Sequence, residues 1–332
     1  MSRRSPFLAV VFVTAAVLAA CTPGADASAS PGASPTAVRL LLGYRPDVQF
    51  APFYYAAQHG LYAAAGLDVT IEHANGPDLM RLVANGDAEF GVADATDVMI
   101  ARTSGIPVRY VETLYERFPV AIIGEAGTVP TDGAGLAGRT IGTPGKYGSS
   151  WHALLALLAS AGLTEADVTI REYPQYNQVA GLLAGEVDLI TGFRNNEPAQ
   201  AEAAGMDVDL LTIDEIAPLP GPGVIVGDGI DADLLARFVA ATASGQDAVI
   251  TDPGAGVDAA AAVVPTVAED PDAARVVLDA TVVLWEGDDG FSWGDIDLDL
   301  WAAAWETMRS LGFIDGSIPV DEMIDASAVP AG

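Results

Sequence analysis

Twice along this chain, short apolar runs alternate with stretches of helical periodicity, several of which stop at a glycine. Residues 38–43, 67–71, 89–93 and 108–114 read as strands, with helical patterns over 52–65, 77–84 and 96–103. The rhythm restarts with strands at 139–142, 168–172, 187–191 and 208–212 and helices over 149–161, 175–184 and 197–204. Strands separated by helices are the signature of parallel βαβ units. The expected fold class is therefore α/β with two lobes, each a mainly parallel sheet flanked by helices. Gly/Pro-rich stretches at 124–138 and 218–223 read as the places where the chain crosses between lobes. The expected domains are 38–120 as the first part of lobe 1, 121–217 as lobe 2, and 218–332 as the completion of lobe 1 with C-terminal helices.

The last third is helical in pattern. Asp231 is placed to cap a helix running to residue 250, and 271–285 forms another. Trp301, Ala304, Trp305, Met308 and Leu311 share one helical face, which predicts core packing in preference to a ligand stripe.

The chain begins with Arg3 and Arg4, an apolar stretch over 7–17 and Leu18-Ala19-Ala20-Cys21. This order predicts a signal peptide over 1–20. Its last four residues resemble a bacterial lipobox, which implies lipid on Cys21. Cys21 is the only cysteine, so an intrachain disulfide and a cysteine-based metal site are excluded. Residues 22–37 hold small and polar residues that bury nothing, and 21–37 reads as a flexible tether. The expected location is the extracytoplasmic face of the cell membrane.

Charge narrows the function further. Against 45 acidic residues stand 15 basic ones, a net charge of −30. Such a surface repels phosphate backbones, so nucleic acid is not an expected partner. Past residue 20, no uncharged apolar run reaches membrane-spanning length.

Two facing α/β lobes put the loops beyond the carboxyl ends of their strands around a shared cleft. Those loops are rich in aromatic and polar residues although aromatics make up 7% of the chain. They carry Tyr44, Asp47, Gln49, Phe50, Asn75, Asp94 and Tyr115 in the first series, and Tyr147, Ser149, Trp151, Tyr176, Asn195, Asn196 and Glu197 in the second. Flat rings beside amides and carboxylates suit a planar, polar heterocycle, whose faces stack and whose edges hydrogen-bond. Tyr44, Gln49, Tyr115, Tyr147, Trp151 and Tyr176 are assigned to stacking or edge contacts. Asp47, Asp94, Asn195 and Glu197 are assigned to N–H or hydroxyl groups. Residues 145–150 open a helix and could present backbone N–H groups to an oxygen-rich ligand group, with Ser149 or Ser150 as a plain cap being the alternative.

The run from Gly43 through Asp47-Val48-Gln49-Phe50-Ala51-Pro52-Phe53 to Ala65 resembles the opening of the NMT1/THI5-like family. Gly66-Leu67-Asp68-Val69, Leu136-Ala137-Gly138-Arg139-Thr140-Ile141-Gly142 and Gly185-Glu186-Val187-Asp188 fit as well. The resemblance covers most of 38–212. It implies the two-lobed fold of type II periplasmic binding proteins and the role of solute-binding component of an ABC importer. Implied partners are a small vitamin ligand and membrane permease subunits, with the chain itself a monomer. Arg117-Phe118-Pro119-Val120-Ala121 and Asn195-Asn196-Glu197-Pro198 resemble the family's riboflavin and thiamine-pyrimidine-precursor carriers. A riboflavin-like ligand is the first expectation and a thiamine pyrimidine precursor the alternative. A sulfonate or nitrate site would need donors and positive charge that few loops supply. The family's enzyme branch resembles a cysteine- and histidine-dependent chemistry for which this chain has no cysteine left. The chain is thus expected to be a binder, with no catalytic residue, cofactor or metal. The rival classes are a secreted enzyme and a ligand sensor signalling to a membrane kinase.

Other motifs fail on context. Gly133-Ala134-Gly135-Leu136-Ala137-Gly138 has the GxGxxG spacing but precedes a strand. Gly145-Lys146 lacks the hydroxyl residue of a P-loop. His59, His73 and His152 lie too far apart for a zinc motif, and Asp295, Asp297 and Asp299 lack the glycine and glutamate of a calcium loop. No Gly-x-Ser-x-Gly elbow supports serine hydrolysis.

Overall fold

A computed structural model describes residues 34–74, 76–214, 216–286 and 294–328. The expected signal peptide, Cys21 and nearly all of the tether fall outside the described residues, and so does Asn75. The folded unit begins at Pro35.

The first series gives β1 (Thr36–Leu42), α1 (Ala51–Gln58), α2 (Leu61–Ala64), β2 (Leu67–His73), α3 (Gly76–Asn85), β3 (Phe90–Ala93), α4 (Ala95–Thr103) and β4 (Val108–Thr113). The helix expected over 52–65 is two helices, because Gly60 between them sits at φ 72. That left-handed conformation ends one helix and starts the next. The second series gives β5 (Val120–Glu125), β6 (Thr140–Thr143), α5 (Gly148–Ser160), β7 (Thr169–Glu172), α6 (Gln178–Leu183), β8 (Leu189–Phe193), α7 (Glu197–Ala203) and β9 (Val208–Thr212). Then come β10 (Gly223–Gly227), α8 (Ala232–Thr251), α9 (Pro253–Ala261), α10 (Pro265–Glu269), α11 (Pro271–Trp285) and α12 (Leu298–Ser310). Asp231 caps α8 by accepting from the Leu234 N–H at 2.9 Å.

The strands form two five-stranded sheets of matching order, β2-β1-β3-β10-β4 and β7-β6-β8-β5-β9. β1 pairs in parallel with β2 and β3, and β6 with β7 and β8. Each sheet contains one antiparallel strand, β10 in the first and β5 in the second. Each of these strands follows a crossing, so the sheets exchange a strand. This corrects the expected first crossing. Residues 124–138 lie wholly beyond the start of the second sheet, and the chain actually crosses at 114–119. β5 follows β4 with no helix between, which breaks the alternation that marks the other strands. The second crossing, 213–222, ends in the expected Pro/Gly-rich stretch.

Both faces of each sheet are covered. In β1, Leu40 and Leu42 pack into one apolar cluster and Leu41 into another. In β10, Val224 and Val226 go with the first and Ile225 with the second. That is the period-two alternation of a strand buried on both sides. The first cluster lies under α1, α8, α9 and α11. The second joins α3 and α4 of the first sheet to α5 of the second and to α12, so one continuous core bridges the lobes. Trp301, Ala304 and Met308 are buried in it, which is the core role expected for the tryptophan face. Among the described residues, no helix is long and apolar enough to cross a membrane.

Candidate ligand-binding cleft

The loops beyond β1, β3, β4, β6, β7 and β8 converge on one cleft. Tyr44, Gln49, Phe50, Asp94 and Tyr115 line it from the first lobe, and Tyr147, Ser149, Tyr176, Asn196 and Glu197 from the second. The sequence therefore locates ten lining residues. Leu79, Val92, Asp97, Gln178 and Phe193 also line the cleft and were not among the candidates. Asp97 lies in the first turn of α4, three residues past Asp94, and Phe193 ends β8. Gln178 carries no comparable signal.

Three expected contacts are corrected by side-chain direction. Trp151 lies one helical turn into α5 and is buried in the bridging core. Asn195 is buried, and its Nδ2 donates to Thr281 Oγ1 on α11 at 2.8 Å. It thereby links the lobes instead of facing the cleft. Asp47 accepts from the Gln49 N–H at 3.3 Å and caps the turn Val48–Phe50. It is not part of the lining, although its carboxylate also hydrogen-bonds the lining residue Asn196. Asn75 lies outside the described residues.

The aromatic walls are held by contacts across the cleft. Tyr44 and Tyr176 meet edge to face with ring centroids 4.6 Å apart. Tyr115 donates its hydroxyl to Gln49 Oε1 at 2.8 Å, and its ring lies edge-on to Phe193 and Trp285. The Tyr147 hydroxyl donates to that of Tyr176 at 3.5 Å. Tyr176 is the one non-glycine described residue with positive φ, at 54°. Such a backbone costs of order 1 kcal/mol and recurs at ligand sites.

One end of the cleft is acidic and already organised. α5 begins at Gly148, and its first N–H groups would ordinarily be free. Here the Ser149 N–H and hydroxyl donate to Asp94, at 3.0 Å and 2.8 Å, and the Gly148 N–H donates to Asp97 at 3.3 Å. The expectation of free donors gives way at Gly148 and Ser149, and a serine cap is replaced by this arrangement. The first turn of α5 is capped by carboxylates from the opposite lobe. Burial raises the pKa of both carboxylates, and for Asp97 the negative charge of Asp94 adds to it. His152, next along α5, is buried against Thr96 at 2.8 Å, and desolvation lowers its pKa to about 4.

Elsewhere in the lining, Glu197 accepts from the Phe193 N–H at 2.7 Å and from Gln178 Nε2 at 3.1 Å. Burial pushes its carboxyl up to about 7. Two atoms here are buried without a hydrogen-bond partner, Tyr44 Oη and Gln178 Oε1. One is a donor or acceptor and the other an acceptor, and buried polar atoms of this kind are completed by a ligand or water. Lysine, arginine and histidine are absent from the lining among the described residues, and no cluster of potential metal ligands occurs among them.

Known proteins share this organisation. Residues 47–255 match the family model described as NMT1/THI5 like. The chain is 32% identical over 324 residues to the riboflavin-binding protein RibY of Chloroflexus aurantiacus, covering 94% of this chain and 92% of that protein. It is 24% identical to the formylaminopyrimidine-binding protein of Halalkalibacterium halodurans, over 65% of this chain and 67% of the other. It is 26% identical to a 4-amino-5-hydroxymethyl-2-methylpyrimidine phosphate synthase of Legionella pneumophila, over 55% and 57%. Among solved structures, the alkanesulfonate-binding protein SsuA of Xanthomonas axonopodis superposes with a TM-score of 0.70 at 18% identity, over 89% of this chain and all of that one. A Candida albicans protein described as having the generic periplasmic binding protein fold gives 0.64 at 13%, over 90% and 98%. The chain belongs to the NMT1/THI5-like family and carries the fold of the periplasmic binding proteins.

Proposed function

We propose that this protein is the solute receptor of an ABC importer and that its ligand is a planar heteroaromatic vitamin of the riboflavin type. The observation that carries the reading is the cleft itself. Tyr44, Phe50, Tyr115, Tyr147, Tyr176 and Phe193 surround it together with Gln178, Asn196 and Glu197, and among the described residues its lining holds no cationic side chain. Rings of this kind pack a flat ligand, and convergent amides and carboxylates orient it. The likeness to a riboflavin-binding protein along nearly the whole chain supports the same ligand class.

Entry requires the lobes to part, since Asp94–Ser149 and Asn195–Thr281 hold them together on two sides. The two crossings, 114–119 and 213–222, are the connections about which they would turn. Ligand binding then biases an open–closed equilibrium toward the closed state that a permease recognises. Cys21 is proposed as the lipid-bearing residue that tethers the folded unit to the outer face of the membrane.

Titration of residues 35–332 with riboflavin, following flavin fluorescence, tests the ligand. Saturable quenching with riboflavin recovered unchanged supports the receptor reading. Conversion of the flavin overturns it in favour of an enzyme. Thermal stabilisation by an aminopyrimidine and not by riboflavin moves the ligand to the pyrimidine precursors.

A further inference from the structure

We infer that Asp94 and Asp97 make this cleft select the unphosphorylated form of its ligand, because they occupy the place where an anion would bind. The inference rests on the receptor reading above and deepens it. The end of the ligand that meets α5 is a hydroxyl or amino donor, and a phosphate, sulfonate or carboxylate is refused there.

The first turn of a helix is an anion site by default, because its N–H groups are unpaired and the helix dipole is positive there. Residues Tyr147 to Ser150 put such a turn in the wall of the cleft. In this protein the donors of Gly148 and Ser149 are already used. Asp94 takes the N–H and the hydroxyl of Ser149, and Asp97 takes the N–H of Gly148. The fit is built around the carboxylate: Gly148 lies at φ 72, and a Cβ there would stand 2.8 Å from Asp94 Oδ2. A residue other than glycine would push the carboxylate away.

An incoming anion would therefore meet carboxylates where it needs donors. The described lining offers no lysine, arginine or histidine to compensate. A hydroxyl chain or an amino group meets the reverse. Each carboxylate oxygen can accept more than one hydrogen bond, so both residues keep capacity for donors on the ligand. The independent sign that the cleft is completed by a ligand lies in the same lining. There Tyr44 Oη and Gln178 Oε1 are buried with no partner, and Gln178 is fully buried. They are an uncharged hydroxyl and an amide acceptor, matched to a neutral heterocycle edge.

The test compares two ligand pairs on the purified chain by calorimetry: riboflavin with its 5′-phosphate, and 4-amino-5-hydroxymethyl-2-methylpyrimidine with its phosphate. Wild-type protein is expected to bind the neutral member of its cognate pair about a hundredfold tighter. Asp94→Asn/Asp97→Asn keeps an accepting oxygen at each cap and removes the charge, and it is expected to narrow that ratio about tenfold. Asp97→Asn alone leaves both Asp94 bonds in place. Read at pH 9, above the value of about 8 to which burial and the charge of Asp94 raise its carboxyl, it provides the reading, with a smaller narrowing, if the double variant does not fold. Equal wild-type affinity for both members overturns the inference while the receptor reading stands. An unchanged ratio in the folded variants also overturns it. Binding of neither member of either pair removes the receptor reading and the inference together.

Discussion

Asp94 accepts two hydrogen bonds from a single residue of the opposite lobe, the N–H of Ser149 at 3.0 Å and its hydroxyl at 2.8 Å. The contact joins the loop after β3 to the first turn of α5, so one carboxylate both caps a helix and fastens the cleft. Capping contacts contribute about 1 kcal/mol, and hydrogen bonds to charged groups rather more. Asp94→Ala is expected to lower unfolding stability by about 2 kcal/mol and Ser149→Ala by about 1 kcal/mol. Because the two share a bond, the double variant should lose less than the sum by about 1 kcal/mol. A urea-denaturation double-mutant cycle measures this, and strictly additive losses would mean that the pair does not couple.

Glu197 gives the protein a pH dependence of definite sign. Its carboxyl, ordinarily at 4.5, is raised to about 7 by burial. The folded state thus favours the protonated form, and the unfolded chain binds fewer protons between those values. The group's contribution is fully present below about 4.5 and is lost as pH rises through about 7. The loss amounts to at most about 3 kcal/mol. Glu197→Gln cannot ionise, so its stability should fall less than that of the wild type between pH 4.5 and pH 8. Parallel denaturation curves at the two pH values decide the matter, and equal slopes for both proteins would contradict the assignment.

Tyr176 stands in a backbone conformation that asparagine adopts more readily. Its ring is nevertheless placed against Tyr44 in the cleft wall. Tyr176→Asn should therefore leave stability within about 1 kcal/mol of wild type, since relief of strain offsets the lost ring contact. Riboflavin affinity should fall about tenfold through the lost aromatic surface. Loss of stability with unchanged riboflavin affinity would assign Tyr176 to structure alone.

Much of this architecture was legible in the alternation of short apolar runs and helical stretches, because each βα unit is a local pattern. The antiparallel strands β5 and β10 were not, since their partners lie far along the chain and no helix precedes either. The cleft was legible at the level of loops: Tyr44, Tyr115, Tyr147 and Tyr176 come together as their positions after the strands require. Which side chains in a loop face inward was less accessible. Asp47 and Gln49 are two residues apart, yet one caps a turn and the other lines the cleft. Ser149 and Trp151 are likewise two apart on one helix, about 200° in rotation, and point to opposite sides. Gln178 enters the site only after the chain has turned through Tyr176, a conformation that the residue type itself disfavours.

Tyr44 and Tyr115 provide a paired comparison that separates binding from support. The Tyr115 hydroxyl donates to Gln49, whereas the Tyr44 hydroxyl is buried with no partner. Removing a satisfied buried hydroxyl leaves its partner unpaired and costs about 1 kcal/mol or more, but removing an unsatisfied one costs nothing in the unliganded protein. Tyr115→Phe is accordingly expected to lose about 1 kcal/mol of stability, with only a small effect on ligand affinity. Tyr44→Phe is expected to keep or gain stability and to weaken ligand binding about tenfold, because the ligand is what completes that hydroxyl. Denaturation and ligand titration on both variants read the two effects separately. A Tyr44→Phe protein that loses stability but binds as tightly as wild type would show that the hydroxyl serves the fold and not the ligand.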